Sequence, residues 1–440
     1  MAPGKLVGRR TFALTGQFLV GVVILAMAAR LAGLFLVLGY HAPVLSDYEI
    51  IATSIRESGY FGFSYFGLPT APSSFMPPVY PFFLAGMMAI SPNDAILATR
   101  IVQSVVSSLS ILVTFYLARD ISKHDGVALI AALLAALYPS FIAGALEVST
   151  VTPEVLLVQL FALSMIRWLR NGRSWVAGCA GLALGLLSLT RVPALLMAPL
   201  FLLWMLRAGR HRLRGHLARD MAVFLAAIIL IISPWTARNF LVQQAFVPVS
   251  TNGGVNFWIG NNPAATGEFL DVRAADPGLV STSMSLTEVE RDSLFYEKAF
   301  SYIRDNPQAW LQLAARKFIY FWWFRPSVGS SYLDAGEVFQ AGKVAMALGY
   351  APVLALALFG LLFLKRERAL ISLVAFIALP YMSTSVLYFA ATRHRSPVEP
   401  FLLVLASLAI VGSVRWAGSA GGLLKIRILW PFKIGNGASP

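Results

Sequence analysis

Apolar stretches of roughly twenty residues recur along the whole chain, divided by short segments that carry most of its charge. The first runs from about Phe12 to Leu38. Others occupy 95–118, 126–145, 155–169, 174–190, 194–206, 220–237, 344–364, 369–391 and 397–414. A helix needs about twenty apolar residues to cross a bilayer. A spanning segment must satisfy its own backbone hydrogen bonds, and these runs lack the alternation of barrel strands, so they predict helices. Residues 79–91 are apolar but too short to span and have prolines near both ends; they predict a juxtamembrane or re-entrant helix. Residues 309–324 end in an aromatic cluster at 320–324, which predicts a helix lying in the membrane interface. A full span there would reverse everything after it.

The basic residues orient these runs. Lys5, Arg9 and Arg10 precede the first, and Arg207, Arg210, Arg212, Arg214 and Arg219 crowd one loop. Arg119 with Lys123, Arg167 with Arg170 and Arg173, Lys365 with Arg366 and Arg368, and Arg415 with Lys425 and Arg427 fall on the same side. The positive-inside rule makes that side cytoplasmic. The prediction is about ten spans with both termini inside. The first run is too long for a signal-peptide core and is read as retained. The polar stretch 240–308 predicts an external subdomain too small to fold alone. Three parts follow: a transmembrane module, 1–239, with a first outer loop at 40–94; an external loop subdomain with its interfacial helix, 240–343; and C-terminal helices with a tail, 344–440.

Composition agrees. The chain of 440 residues is 58% hydrophobic and 13% charged, against about 25% charged in soluble domains. The net charge of +14 sits mainly in short loops, so it argues for membrane topology and against a nucleic-acid partner. Cys179, the single cysteine, lies inside an apolar run and is expected to pack there.

In this topology Asp47, Glu49, Glu147, Glu154, Arg191, Arg238, Arg393, His394 and Arg395 gather at outer helix ends. Arginines placed against the positive-inside bias need an anion. Neighbouring carboxylates would serve, and so would a lipid phosphate, which suits the planar guanidinium fork. Plainer readings stand beside these. Asp47 and Glu49 fit a solvated loop start, Pro153-Glu154 fits a helix first turn, and Arg191 and Arg238 fit snorkelling side chains. His394 fits a structural role, and His41 beside Asp47 or Glu49 is a weak metal candidate.

Several stretches resemble the GT-C superfamily, in the bacterial branch similar to protein O-mannosyltransferases and the lipid A aminoarabinose transferase. Asp47-Tyr48-Glu49 with Pro77-Pro78-Val79-Tyr80-Pro81 resembles its first outer loop. Leu189-Thr190-Arg191-Val192-Pro193 resembles a helix end of that branch. Pro234-Trp235-Thr236-Ala237-Arg238-Asn239, the segment around Asn252-Gly253-Gly254, and Gly260-Asn261-Asn262-Pro263 resemble its mid-chain signature. Arg393-His394-Arg395-Ser396-Pro397-Val398-Glu399-Pro400 resembles the motif before its last helix. The resemblance implies an all-α, GT-C-like membrane bundle that moves a sugar from a polyprenyl-phosphate donor to a glycan, lipid or protein acceptor. Membrane lipid would be its surrounding partner. It implies a bacterial inner-membrane enzyme with its site facing outward. Asp47 would be the catalytic base, with Glu49 and Glu154 as further acids. Arg191, Arg238, Arg393 and Arg395 would hold the phosphate, and Tyr48, Pro77, Pro78, Tyr80, Asn252 and Asn261 would shape the substrate loop. The branch's acid before Pro-Pro is replaced here by Ser74, Phe75 and Met76, which leaves a divalent metal open. His394 stands where tyrosine is usual. A lipid-linked oligosaccharide polymerase or ligase shares these features. A transporter fits less well, since no paired repeat is visible and the acids sit at run ends.

Overall fold

A computed structural model of the chain describes residues 3–38, 46–322, 336–364 and 368–419. Tyr40 and His41, Trp323 and Phe324, Lys365 and Arg366, and Lys425 and Arg427 lie outside the described residues. The architecture is helical throughout, apart from a two-stranded antiparallel hairpin pairing Gly62–Phe63 with Ala71–Pro72.

The helices in chain order are α1 (Pro3–Ala32), α2 (Asp47–Ser58), α3 (Val79–Ile90), α4 (Ala95–Ser122), α5 (Asp125–Leu137), α6 (Pro139–Leu146), α7 (Val151–Asn171), α8 (Ser174–Thr190), α9 (Met197–Ala208) and α10 (Arg214–Gln243). The polar stretch and the segment after it hold α11 (Gly253–Gly260), α12 (Val272–Ala275), α13 (Pro277–Met284), α14 (Glu288–Asp305) and α15 (Pro307–Trp322). Then come α16 (Gly336–Gly360), α17 (Arg368–Leu387), α18 (Thr392–Arg395) and α19 (Glu399–Ser419).

Six helices among the described residues are long and apolar enough to span: Thr15–Phe35, Ala95–Ser122, Val151–Asn171, Arg214–Gln243, Val344–Leu364 and Ala369–Leu387. The α5–α6 pair makes a seventh if taken as one bent span. The difference from the expected ten lies in Ser174–Thr190, Val192–Ala208 and Glu399–Val414, which are apolar but shorter. Seventeen residues rise only about 26 Å, just under a 30 Å hydrocarbon core.

Three local features shape the bundle. The run 126–145 bends by 49° between α5 and α6, because Pro139 has no N–H to give and its ring crowds the preceding turn. Arg30, buried in α1, covers the break: its Nη1 donates to the carbonyls of Ala136 (3.1 Å) and Ala26 (3.0 Å), and its Nε to Ser107 Oγ (2.9 Å). Second, α8 lies against α10 through glycines. A Cβ on Gly181 would stand 2.3 Å from the Phe224 carbonyl oxygen, and one on Gly185 2.8 Å from Ile231 Cβ. Small residues admit that close approach. Third, the segment read as a first loop contains a helix, α2. Ser46 caps α2 by accepting from Glu49 N, Asp47 and Glu49 occupy its first turn, and Gly59 ends it with φ of 75°. Cys179, expected inside the packing, is exposed on the flank of α8 instead.

Candidate functional site

Four chain segments far apart in sequence meet at one end of the bundle. The start of α2 delivers Asp47 and Tyr48, the start of α7 delivers Glu154, the end of α8 delivers Arg191, and α18 delivers Arg393 and His394. The sequence positions each by a helix terminus. Pro153 and Glu154 fall in the first turn of α7, and Val192-Pro193 turns the chain aside just after Arg191.

Glu154 is fully buried and faces Arg191, with Oε1 3.7 Å from Nε. Neither oxygen of this carboxylate makes a hydrogen bond, although the Tyr381 hydroxyl on α17 lies beside it. Arg191 therefore neutralises Glu154 without saturating it, and its remaining N–H groups are available to a ligand. Arg393 adds a second cation whose Nε is buried with no hydrogen-bond partner. An unpaired buried donor on a guanidinium is costly and marks a place where an acceptor belongs.

Asp47 lies within the field of Arg393 and of Arg273 from α12. Its side chain is open to solvent yet crowded by protein. That crowding raises its carboxyl above the ordinary carboxylate range, and the two arginines pull part of the way back. Tyr48 lies within the field of Arg191 and Arg393, packs edge-on against Tyr80 with centroids 5.0 Å apart, and its hydroxyl is raised chiefly by burial. His394 is buried, and the lost hydration together with Arg191 and Arg393 keeps it well below the usual histidine range. It is therefore neutral at physiological pH, with Nδ1 3.3 Å from Ser385 Oγ. The end product is a partly desolvated recess with one raised carboxyl, two cations and a buried counter-acid.

The remaining expected residues have other employment. Arg238 gives Nη1 to the Ser73 carbonyl (2.5 Å) and Nη2 to the Phe61 carbonyl (3.0 Å), and stacks on Trp235 with its centre 4.8 Å from the ring. It braces the hairpin segment from behind. Arg395 is buried on Glu399 (2.9 Å) and the Phe321 carbonyl (3.0 Å), 3.6 Å over the Tyr350 ring. Partners fixed in the fold thus engage Nη1 and Nη2 of Arg238 and Nε and Nη1 of Arg395. Asn261 donates to the carbonyls of Phe257 and Leu387 and accepts from Trp310 and Lys317. Asn252 meets Met76 Sδ and Ser250. Tyr80 donates to Gln103 Oε1 (2.6 Å), and Pro78 caps α3 just after Pro77. Glu49 keeps a buried, unbonded Oε2 on α2 and carries a carboxyl raised by desolvation. Among the described residues no group of three or more His, Cys, Asp and Glu side chains could hold a metal.

Arg273, Tyr381 and Thr150, which neighbours Tyr48, escaped the sequence reading. Tyr381 reads as core within an apolar run, and Arg273 reads as a loop charge beside Asp271. No periodicity distinguishes them.

Residues 76–237 match the sequence profile of the dolichyl-phosphate-mannose-protein mannosyltransferases. No curated protein matches the chain. Among solved structures, the oligosaccharyltransferase AglB from Archaeoglobus fulgidus, in complex with an inhibitory peptide and a dolichol-phosphate, superimposes with a TM-score of 0.58 at 13% identity. That match covers 94% of this chain and 52% of the archaeal one. The apo form of the oligosaccharyltransferase from the same organism gives 0.54 at 14% identity, over 92% and 52%. ArnT from Cupriavidus metallidurans, bound to undecaprenyl phosphate, matches more loosely, at 0.46 and 14% identity over 93% and 79%. This chain thus spans about half the length of the archaeal protein. Its fold is that of the archaeal oligosaccharyltransferase, and residues 76–237 carry the mannosyltransferase sequence pattern.

Proposed function

We propose that this protein is a membrane glycosyltransferase that moves a sugar from a polyprenyl-phosphate carrier to an acceptor hydroxyl in the recess between α2, α7, α8 and α18. The observation that carries this reading is the meeting of Asp47 with Arg393, beside the Arg191–Glu154 pair, at the end of an apolar bundle. A donor whose lipid tail stays in the bilayer would present its phosphate at that depth. Arg191 and the unpartnered Nε of Arg393 would hold the phosphate oxygens. Asp47 would take the acceptor proton as the acceptor oxygen attacks the anomeric carbon. The bond from that carbon to the phosphate oxygen breaks, the electron pair leaves with the phosphate, and the arginines balance the charge. One displacement of this kind inverts the sugar's configuration.

Glu154 has no proton to receive in this scheme. It fixes the Arg191 guanidinium, so it is a positioning residue. The oligosaccharyltransferase solved with a dolichol-phosphate supports the lipid-carrier half by likeness of fold alone. Arg167 and Arg170 lie toward the other end of α7 from Glu154, which under the positive-inside rule supports a recess on the outer side.

The test is sugar transfer from a polyprenyl-phosphate sugar in proteoliposomes. Loss of a general base costs about 10²–10⁴-fold, so Asp47→Asn should lower turnover by at least a hundredfold with donor binding retained. Full transfer by that variant would remove Asp47 from the base role.

A further inference from the structure

We propose a second anion site at the opposite end of the bundle, a pocket for a phosphate ester where the ends of α4 and α7 meet the start of α5. A cavity of about 700 Å³ opens there beside Arg119, Lys123 and Arg167. Asp120 accepts Arg167 Nε at 3.1 Å and Arg170 Nη1 at 3.0 Å, with Lys123 Nζ at 3.6 Å. Arg119 pairs with Asp125 at 2.8 Å. Four cations therefore share two carboxylates, a surplus of two positive charges.

The arrangement of these charges matters as much as their number. The Asp120 side chain is 24% exposed, whereas those of Lys123 and Arg167 are 44% and 47% exposed. Around Asp120 the acid is thus the more covered group, whereas Asp125 is 46% exposed beside Arg119 at 38%, so both signs reach the opening and the surplus of two cations sets its net charge. Arg167 spends its Nε on Asp120, lies 5.9 Å from the Tyr116 ring and lines the cavity. His124 caps α5, its Nδ1 accepting from Gly126 N and Val127 N. That nitrogen therefore carries no proton while the cap holds, and the ring brings no charge to the balance. A phosphate ester, with one or two negative charges and several acceptor oxygens, matches the surplus.

The pocket is remote from the recess described above. Arg167 stands thirteen positions beyond Glu154 on α7, a rise of about 20 Å. It is therefore independent of the transfer reaction. Two carriers could bring the phosphate, an anionic phospholipid headgroup of the adjacent leaflet or a soluble phosphate compound.

The test uses the full chain in phosphatidylcholine nanodiscs, with phosphatidylglycerol titrated in one arm and inorganic phosphate in the other, bound molecules being counted by native mass spectrometry. Removing two rim charges, Arg119→Gln with Lys123→Gln, should weaken phosphatidylglycerol binding by about tenfold or more. Asp120→Asn should tighten it. Thermal melting of each variant confirms folding, and Arg119→Gln alone, with a several-fold loss, replaces the double variant if that does not fold. The same pattern with inorganic phosphate would assign the pocket to soluble phosphates. Binding that no variant alters in either arm would overturn the proposal.

Discussion

Arg191, Arg238, Arg393 and Arg395 look equivalent in the sequence, yet the fold separates them by what surrounds their N–H groups. Arg238 and Arg395 are held by carbonyls, a carboxylate and aromatic faces. Arg191 and Arg393 keep donor capacity unspent. The two classes should fail differently. Arg238→Ala strands the Phe61 and Ser73 carbonyls and should lower stability by about 1–3 kcal/mol, read as a fall in melting temperature. Arg393→Ala should leave melting nearly unchanged and weaken donor binding. Asp47 also has a pH signature. In the proposed role of base it acts only when ionised, and its raised carboxyl titrates above the ordinary range. Turnover should therefore fall on acidification earlier than an unperturbed aspartate would allow. Arg273→Ala, which removes a charge favouring the carboxylate, should move that fall to still higher pH in a pH–rate profile. Lys317 gives a stability counterpart. It is fully buried on α15 and its ammonium is lowered to about 7. Between that value and the ordinary 10.5 the unfolded chain holds a proton that the folded one does not, so stability should rise with pH across this window, by at most about 5 kcal/mol. Lys317→Met should flatten the slope in detergent melts.

At the scale of elements, much was legible and the gaps have physical causes. Ser46-Asp47-Tyr48-Glu49 has the spacing of a helix N-cap, with a polar cap residue three before a glutamate, and α2 begins there. The reading of 40–94 as an outer loop missed α2 because its apolar content is low. The run 126–145 read as one span because hydropathy is blind to a proline's missing N–H. Arg30 could not be tied to that break from sequence, since its partner Ala136 lies more than a hundred residues away. Replacing Arg30 by Leu should cost about 1–3 kcal/mol through the uncovered carbonyls, measurable as a lower melting temperature. The α8–α10 contact supplies a paired test. Gly181→Leu would drive a side chain into the Phe224 carbonyl and should abolish folded yield, whereas Cys179→Leu, two residues away on the exposed flank, should be tolerated.

For the whole molecule, the apolar runs and basic loops carried the membrane architecture, and the ordered motifs carried the likeness in fold that the superpositions bear out. The candidate site was legible only as separate helix ends. Polar residues at the ends of apolar runs pointed to Asp47, Glu154, Arg191 and Arg393, but nothing in one dimension says which ends meet. The account stands on those ends forming one phosphate-binding recess. Binding of a labelled polyprenyl phosphate to the reconstituted protein tests this most directly. Arg191→Ala together with Arg393→Ala should weaken binding by a hundredfold or more, since charged hydrogen bonds contribute about 1.5–3 kcal/mol each, while a folded Arg238→Ala control binds as before. Unchanged binding by the double variant would contradict the account.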